Sequence, residues 1–135
     1  MTVKRATLRE IYRLFGRKTG DLILNEEQRH YICWDGDVAV GYTAIREFPG
    51  YYKSQANFVR EQYRRRGIFT YMLWCMMDKY RDKPIKADCL ESSVRIYLKL
   101  GFELKAVKNC KAFTLYKVEY DAKKDVHNSN YRGQG

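Results

Sequence analysis

The sequence predicts an α/β fold, specifically a single domain built on a mixed (α+β) sheet with helices on its faces. Three observations predict it. The chain has 135 residues, the length of one domain. Runs of helical and strand period alternate along it, in the order helix, hairpin, strand, helix, strand, helix, strand, strand. The strand–helix–strand in the middle demands a right-handed crossover and local parallel pairing, whereas the hairpins on either side demand antiparallel pairing. The expectation is a central sheet of about six to seven strands flanked by about four helices.

Each element has its own signal. In "LREIYRLFGRKTG", Leu8, Ile11, Tyr12 and Phe15 recur at helical spacing, and Gly16 or Gly20 can end the helix. Residues Asp21 to Gln28 suggest a short second helix. The period then changes in "HYICWDGDVAVGYTAIREF", where Asp35-Gly36 between two β-rich runs predicts a hairpin. "SQANFVR" reads as a strand, with Phe58–Arg60 at its end. From Gly67 to Tyr80 the chain is apolar almost all round, which predicts a helix packed on more than one side. Pro84 breaks that pattern, and "PIKADCL" alternates as a short strand. Ser92 or Ser93 can cap the next helix, in which Val94, Tyr97 and Leu98 share a face and which Gly101 closes. "FELKAV" and "AFTLYKVEY" are two final strands. From Asp121 the chain has almost nothing to bury, so the expected division is a domain over 1–120 and a polar tail over 121–135.

Composition narrows the function classes. Hydrophobic residues make up 45% of the chain, enough for a core. The formal net charge is +10, from 26 Lys and Arg against 16 Asp and Glu. Such a field favours anionic partners and repels polycations. The four cysteines, Cys33, Cys75, Cys89 and Cys110, sit in apolar settings without a Cys-x-x-Cys, so they read as buried hydrophobes of a reduced compartment. His30 and Cys33 make one pair of metal-ligating residues, and nothing supplies the rest of a metal site. No apolar run approaches the roughly 20 residues that span a bilayer. The expected location is cytoplasmic.

The densest positive charge sits at the start of the apolar helix, in "FVREQYRRRGIFTYML". A strand that ends in a basic, glycine-containing turn and opens a helix is an anion site. The first amides of the helix lack intrahelical partners, and its dipole is positive there. Gly67 lets a ligand approach the backbone, and Arg64, Arg65 and Arg66 add forked donors, so the turn suits a pyrophosphate. The alternative is a basic turn that only solvates the surface. Neither a dinucleotide fingerprint nor a P-loop matches.

This stretch resembles the acyl-CoA-binding motif of GNAT-type N-acetyltransferases, Gln/Arg-x-x-Gly-x-Gly/Ala, with Arg64, Gly67 and Phe69 at its positions. "SSVRIYLKLGFE" is similar to the family's later helix, through Tyr97, Gly101 and Phe102, and "DGDVAVGYTAI" to its second and third strands. The resemblance covers about Met1 to Tyr120 in the right element order. It implies acetyl-CoA as acyl donor and an amine as acceptor. Backbone amides of Arg65, Arg66, Gly67, Ile68 and Phe69 would hold the pyrophosphate. An N–H of the strand at Phe58–Val59 would polarise the thioester carbonyl, and Tyr97 would protonate the leaving thiolate. For Tyr97 the competing reading is a core aromatic on an apolar helix face.

Two positions depart from the pattern. The motif's last Gly/Ala is Phe69, which either crowds the cofactor or points into the core. The asparagine common in the family seven residues before the tyrosine is Leu90. Where many relatives carry Glu as general base, this chain has Gln55 and Asn57, which leaves Glu47, Glu61, His30, a water chain or an already neutral amine. The net charge points to an amine on an otherwise anionic molecule as acceptor. Two further readings stand beside this one: a catalytically degenerate protein that keeps the fold as a binding or assembly module, and a nucleic-acid binder suggested by charge and interleaved tyrosines.

Overall fold

The computed structural model describes residues 1–17 and 23–124. Seven strands form one mixed sheet in the order β1-β2-β3-β4-β5-β7-β6. They are β1 (Thr2–Ala6), β2 (Arg29–Asp35), β3 (Val38–Phe48), β4 (Tyr51–Val59), β5 (Ile85–Cys89), β6 (Glu103–Asn109) and β7 (Thr114–Tyr120). Pairs β1–β2, β2–β3, β5–β7 and β6–β7 are antiparallel. The connection from β4 to its neighbour β5 is a helix crossover, the kind of connection parallel strands need. Among the described residues the helices are α1 (Leu8–Phe15), α2 (Ile68–Lys79) and α3 (Glu91–Lys99), with one 3-10 turn at Glu61–Tyr63.

Three helices therefore stand where about four were expected. The short helix expected over Asp21 to Gln28 is the missing one. Its first two residues lie outside the described residues, and Ile23–Gln28 is turn and irregular chain. Local side-chain bonds compete with helix there: Glu27 N–H donates to Asn25 Oδ1 and Asn25 N–H donates to Gln28 Oε1. Strand β1 was not anticipated, because its charged residues hide any alternation, and pairing with β2 decides it. Helix α3 starts at Glu91 with Leu90 at its N-cap, so Ser92 and Ser93 lie in the first turn and cap nothing. Gly20 and residues 125–135, most of the expected tail, lie outside the described residues.

Other signals hold. Thr7 and Glu10 form a reciprocal capping box at the start of α1, and Gly16 ends it. The expected first hairpin forms, but one residue on from Asp35-Gly36: Asp35 is the last residue of β2, paired to Val38, and the chain turns on Gly36-Asp37 with Gly36 at φ 62. Glycine at the first central position suits a type II′ turn. In α2 no residue from Ile68 to Met77 is exposed, which bears out the all-round apolar reading.

The chain divides into two compact units, Met1–Glu47 with Ser54–Cys75, and Phe48–Lys53 with the chain from Met76 onward. In the first, one core cluster joins Ile11 of α1 to Ile32, Tyr42 and Ala56, and another joins Cys33, Val40 and Val59 to Ile68 and Met72 of α2. Gly41 sits where β3 meets β4 closely: a Cβ there would lie 2.6 Å from the Phe58 carbonyl oxygen. Arg60 follows β4 and ties this unit together. Its guanidinium donates to the carbonyls of Ala39 and Leu14 and lies 4.3 Å from the Phe15 ring centroid. In the second unit, Tyr97, Phe102 and Tyr120 form an aromatic row. No helix among the described residues is long and apolar enough to cross a membrane.

Candidate functional site

Strand β4 ends at Val59, one residue short of the expected Arg60, and the chain turns at once. The 3-10 turn is closed by Tyr63 N–H on Arg60 O, and Arg64 N–H donates to Glu61 O. Arg64 then folds back, its Nε donating to Val59 O at 2.8 Å and its guanidinium lying 5.6 Å from the Phe58 ring. This bond brings the turn onto the strand end. Phe58 is fixed in turn by stacking on Tyr42, with centroids 5.4 Å apart, and by the edge of Phe15.

Two residues of the turn are left-handed, Arg65 at φ 65 and Gly67 at φ 80. Arg65 is the only described non-glycine residue with positive φ, a conformation that costs roughly 1–2 kcal/mol for a side chain with a Cβ. Backbone strain of this kind gathers at ligand sites, and alternating handedness points amides into one concavity. The helical ladder of α2 begins with Tyr71 N–H on Gly67 O, so the amides of Ile68, Phe69 and Thr70 stand outside it. The first turn of α2 carries no acidic residue. Arg64, Arg65 and Arg66 are exposed. Amides outside the helical ladder, a positive dipole end and exposed cations together suit a pyrophosphate.

The expected set Phe58, Val59 and Arg64 to Phe69 is thus contiguous in space. Thr70 adjoins this set, because its amide too stands outside the ladder; the only signal for it was the exact start of the helix, which sequence reads poorly. Of the two readings for Phe69, the core side is the one seen. Its ring packs against the cluster of Cys33, Val40, Val59, Ile68 and Met72.

The β4 side chains at the base position are occupied. Gln55 Oε1 accepts from Gln28 Nε2 at 2.8 Å. Asn57 Oδ1 accepts from Thr43 Oγ1 at 2.7 Å, and Asn57 Nδ2 donates to Ser54 Oγ. Glu47 is bridged to Arg29 at 2.7 Å, and Glu61 is exposed. His30 is 4% exposed, and its Nε2 has no hydrogen-bond partner. Burial pulls its pKa below the ordinary value, as does Arg5 more weakly, against a backbone hydrogen bond at Asn25 and the charge of Glu26. The described residues hold no group of three or more His, Cys, Asp or Glu that could take a metal ion.

His30 makes a testable contribution to stability. Its folded pKa lies below the unfolded value of about 6.5, so the unfolded chain binds the extra proton between the two. The stabilisation is complete above about pH 6.5 and is lost as pH falls through that value toward the folded pKa. Urea unfolding from pH 7.5 to 5 should show stability falling by at most about 1.4 kcal/mol per pH unit in that window. A His30→Leu variant should flatten that part of the curve; an unchanged slope would remove His30 as its source.

Tyr97 belongs to the second unit, on α3, and is 3% exposed. Its ring meets Phe102 edge-on with centroids 5.0 Å apart. Gly101 at φ 106 follows the helix; Gly101 N–H donates to Leu98 O and Phe102 N–H to Tyr97 O. That is a Schellman cap, and the Tyr97–Phe102 contact is the apolar pair that accompanies it. The spacing of Tyr97 to Gly101-Phe102 therefore has a structural cause of its own. Burial pushes the phenol pKa above its ordinary range, with Cys89 and Asp88 adding to it, so the hydroxyl keeps its proton at neutral pH. Leu90, at the N-cap of α3, is 48% exposed.

A family model, that of the acetyltransferase (GNAT) family, matches residues 4–102. No curated protein matches the sequence. Solved structures do match. The Bacillus subtilis acetyltransferase in complex with CoA superposes with a TM-score of 0.72 at 17% identity, over 89% of this chain and 97% of that one. For yncA from Salmonella typhimurium with its cofactor acetyl-CoA the TM-score is 0.71 at 16% identity, over 93% and 96%. A variant of the spermidine N-acetyltransferase SpeG from Vibrio cholerae gives 0.73 at 11% identity, over 96% and 99%. At such identities the likeness is one of fold.

Proposed function

This chain belongs to the acetyltransferase (GNAT) family, and from that premise we propose that it transfers an acetyl group from acetyl-CoA to an amine acceptor. The observation that carries the proposal is the turn from Arg64 to Gly67, with left-handed Arg65 and Gly67 opening onto the unladdered amides of α2. Structures of the same fold with CoA or acetyl-CoA bound support the choice of donor.

In this reading, amides from Arg65 to Thr70 would hold the pyrophosphate and the three arginines would attract it. Acetyl-CoA supplies the activated acyl group when bound. An N–H at Phe58–Val59 would polarise the thioester carbonyl. Tyr97 holds a proton at Oη for the departing sulfur. Its raised pKa makes it a hydrogen-bond donor to the growing thiolate rather than an early acid. With Glu47 committed to Arg29 and His30 buried, the reading takes an amine that arrives neutral. The net charge of +10 disfavours a polyamine and favours an amine on an otherwise anionic molecule. The acyltransferase domain would run over 1–120, with 121–135 as a tail. Four free thiols suit a cytoplasmic location.

Exposed Leu90 and the neutral Gln55 and Asn57 favour a second reading, a non-catalytic binding or assembly module on the same fold. Titration calorimetry with acetyl-CoA and CoA separates the two. Saturable heat that weakens with added salt is expected. No heat and no thermal shift at millimolar CoA would favour the module.

A further inference from the structure

The second unit carries a basic depression that the acyl-transfer reading does not use. One face of β5, β7 and β6 packs on α3, burying Ile85, Ala87, Val118 and Tyr120. The opposite side chains of β5 and β7 line a shallow cavity of about 310 Å³ together with Tyr51 and Lys53 at the start of β4. Four adjacent strands each give it one lysine: Lys53 from β4, Lys86 from β5, Lys117 from β7 and Lys105 from β6. At the usual strand spacing that row is about 14 Å long.

The arrangement is held by short-range contacts. Asp88 bridges Lys53 at 3.0 Å and Lys117 at 3.3 Å. Burial pushes the Asp88 carboxyl up, but bonds and charge from both lysines outweigh it and keep the group ionised. Lys105 is the extra residue of a bulge in β6, between Leu104 paired to Val118 and Ala106 paired to Lys117. Bulges re-aim side chains, and this one brings Lys105 to the depression. Glu103 is its partner at 3.0 Å. Lys86 Nζ rests 4.3 Å above the Tyr51 ring, which is itself stacked on Phe48. The lining has four ammonium groups against the two carboxylates of Asp88 and Glu119.

We propose that this sheet face docks the phosphate backbone of a single-stranded nucleic acid, crossing the four strands along the lysine row. Charge complementarity selects a polyanion. The cations are all lysines, point charges that take phosphate without fixed orientation, whereas carboxylate recognition draws on the arginine fork. The one aromatic in the lining is already engaged by Phe48 and Lys86, so bases find no stacking platform. Contact is therefore to backbone, independent of sequence and alike for RNA and DNA. A cavity this small admits one flexible strand more readily than a rigid duplex.

Fluorescence anisotropy with labelled mixed-sequence RNA and DNA oligomers of about 12 nucleotides tests this, across a salt series on the full chain. The double variant Lys86→Gln and Lys105→Gln removes two cations that do not hold Asp88. The control, Lys4→Gln with Arg9→Gln, removes the same charge from exposed positions of the first unit. The expected result is a log–log salt slope that flattens by about 1.4 in the first variant, at about 0.7 per lost phosphate contact, and by clearly less in the control. Equal losses in the two variants would reduce the effect to net charge and overturn the site. So would no binding by the wild type at 50 mM salt, or stronger competition from polyglutamate than from an oligomer of equal charge, which would make the partner an acidic protein segment.

Discussion

Replacing Tyr97 with Phe is expected to slow acetyl transfer by roughly 10²-fold, the usual worth of a positioned proton donor. The substitution removes one hydroxyl and keeps the ring. The edge contact with Phe102 and the cap built on Gly101 therefore survive. Acetyl-CoA affinity should barely change, because in the proposed role the hydroxyl would act on charge that develops at sulfur only in the transition state. Stability distinguishes this role from a core role. A buried hydroxyl that serves packing would show its loss as roughly 1 kcal/mol of unfolding free energy. Wild-type turnover with a lowered melting temperature would assign Tyr97 to the core and leave the mechanism without its donor. Steady-state rates with a suitable amine, beside denaturant unfolding of both proteins, give the answer.

The second large effect concerns the cofactor turn. Gly67→Val should lower acetyl-CoA affinity by more than about tenfold, or 1.4 kcal/mol. The cause is not crowding in the free protein, since a Cβ at Gly67 meets nothing within 4 Å. It is backbone strain: at φ 80 a β-branched residue is a genuine outlier, so the turn relaxes and carries the amides of Ile68 to Thr70 with it. A new side chain also stands where the ligand's phosphates would come. Arg65→Gly is the informative contrast. It relieves the strain at φ 65 and removes one exposed charge, so it should leave stability equal or higher and weaken binding less. Calorimetry on both variants would sink the assignment if Gly67→Val bound acetyl-CoA like the wild type.

Much of the candidate site was legible because its signals are local. Arg64-Arg65-Arg66-Gly67 before an apolar run marks a basic, glycine-containing helix start from residue chemistry alone, the kind of start that suits an anion. The same local logic found the Gly36 hairpin, the Gly16 stop and the Gly101 close. Helix starts were less legible. A serine near the front of α3 reads as a cap, yet Leu90 takes that place without a side-chain bond.

The sequence by itself determined the order of strands and helices from α1 onward, apart from the short helix expected over Asp21 to Gln28, together with the mixed sheet, the basic turn at the head of α2 and the apolar run of that helix to Met77. All of these follow from period, glycine placement and charge within a few residues. Only the tertiary structure decided what distant residues do to one another. It made β1 a strand by pairing it with β2, sent Phe69 into the core, and tied Gln55 and Asn57 to Gln28 and Thr43. It also gathered four lysines from four strands into one depression. A side chain's partner across a sheet is fixed by register and bulge, and these depend on how separate segments pack rather than on the residues beside it.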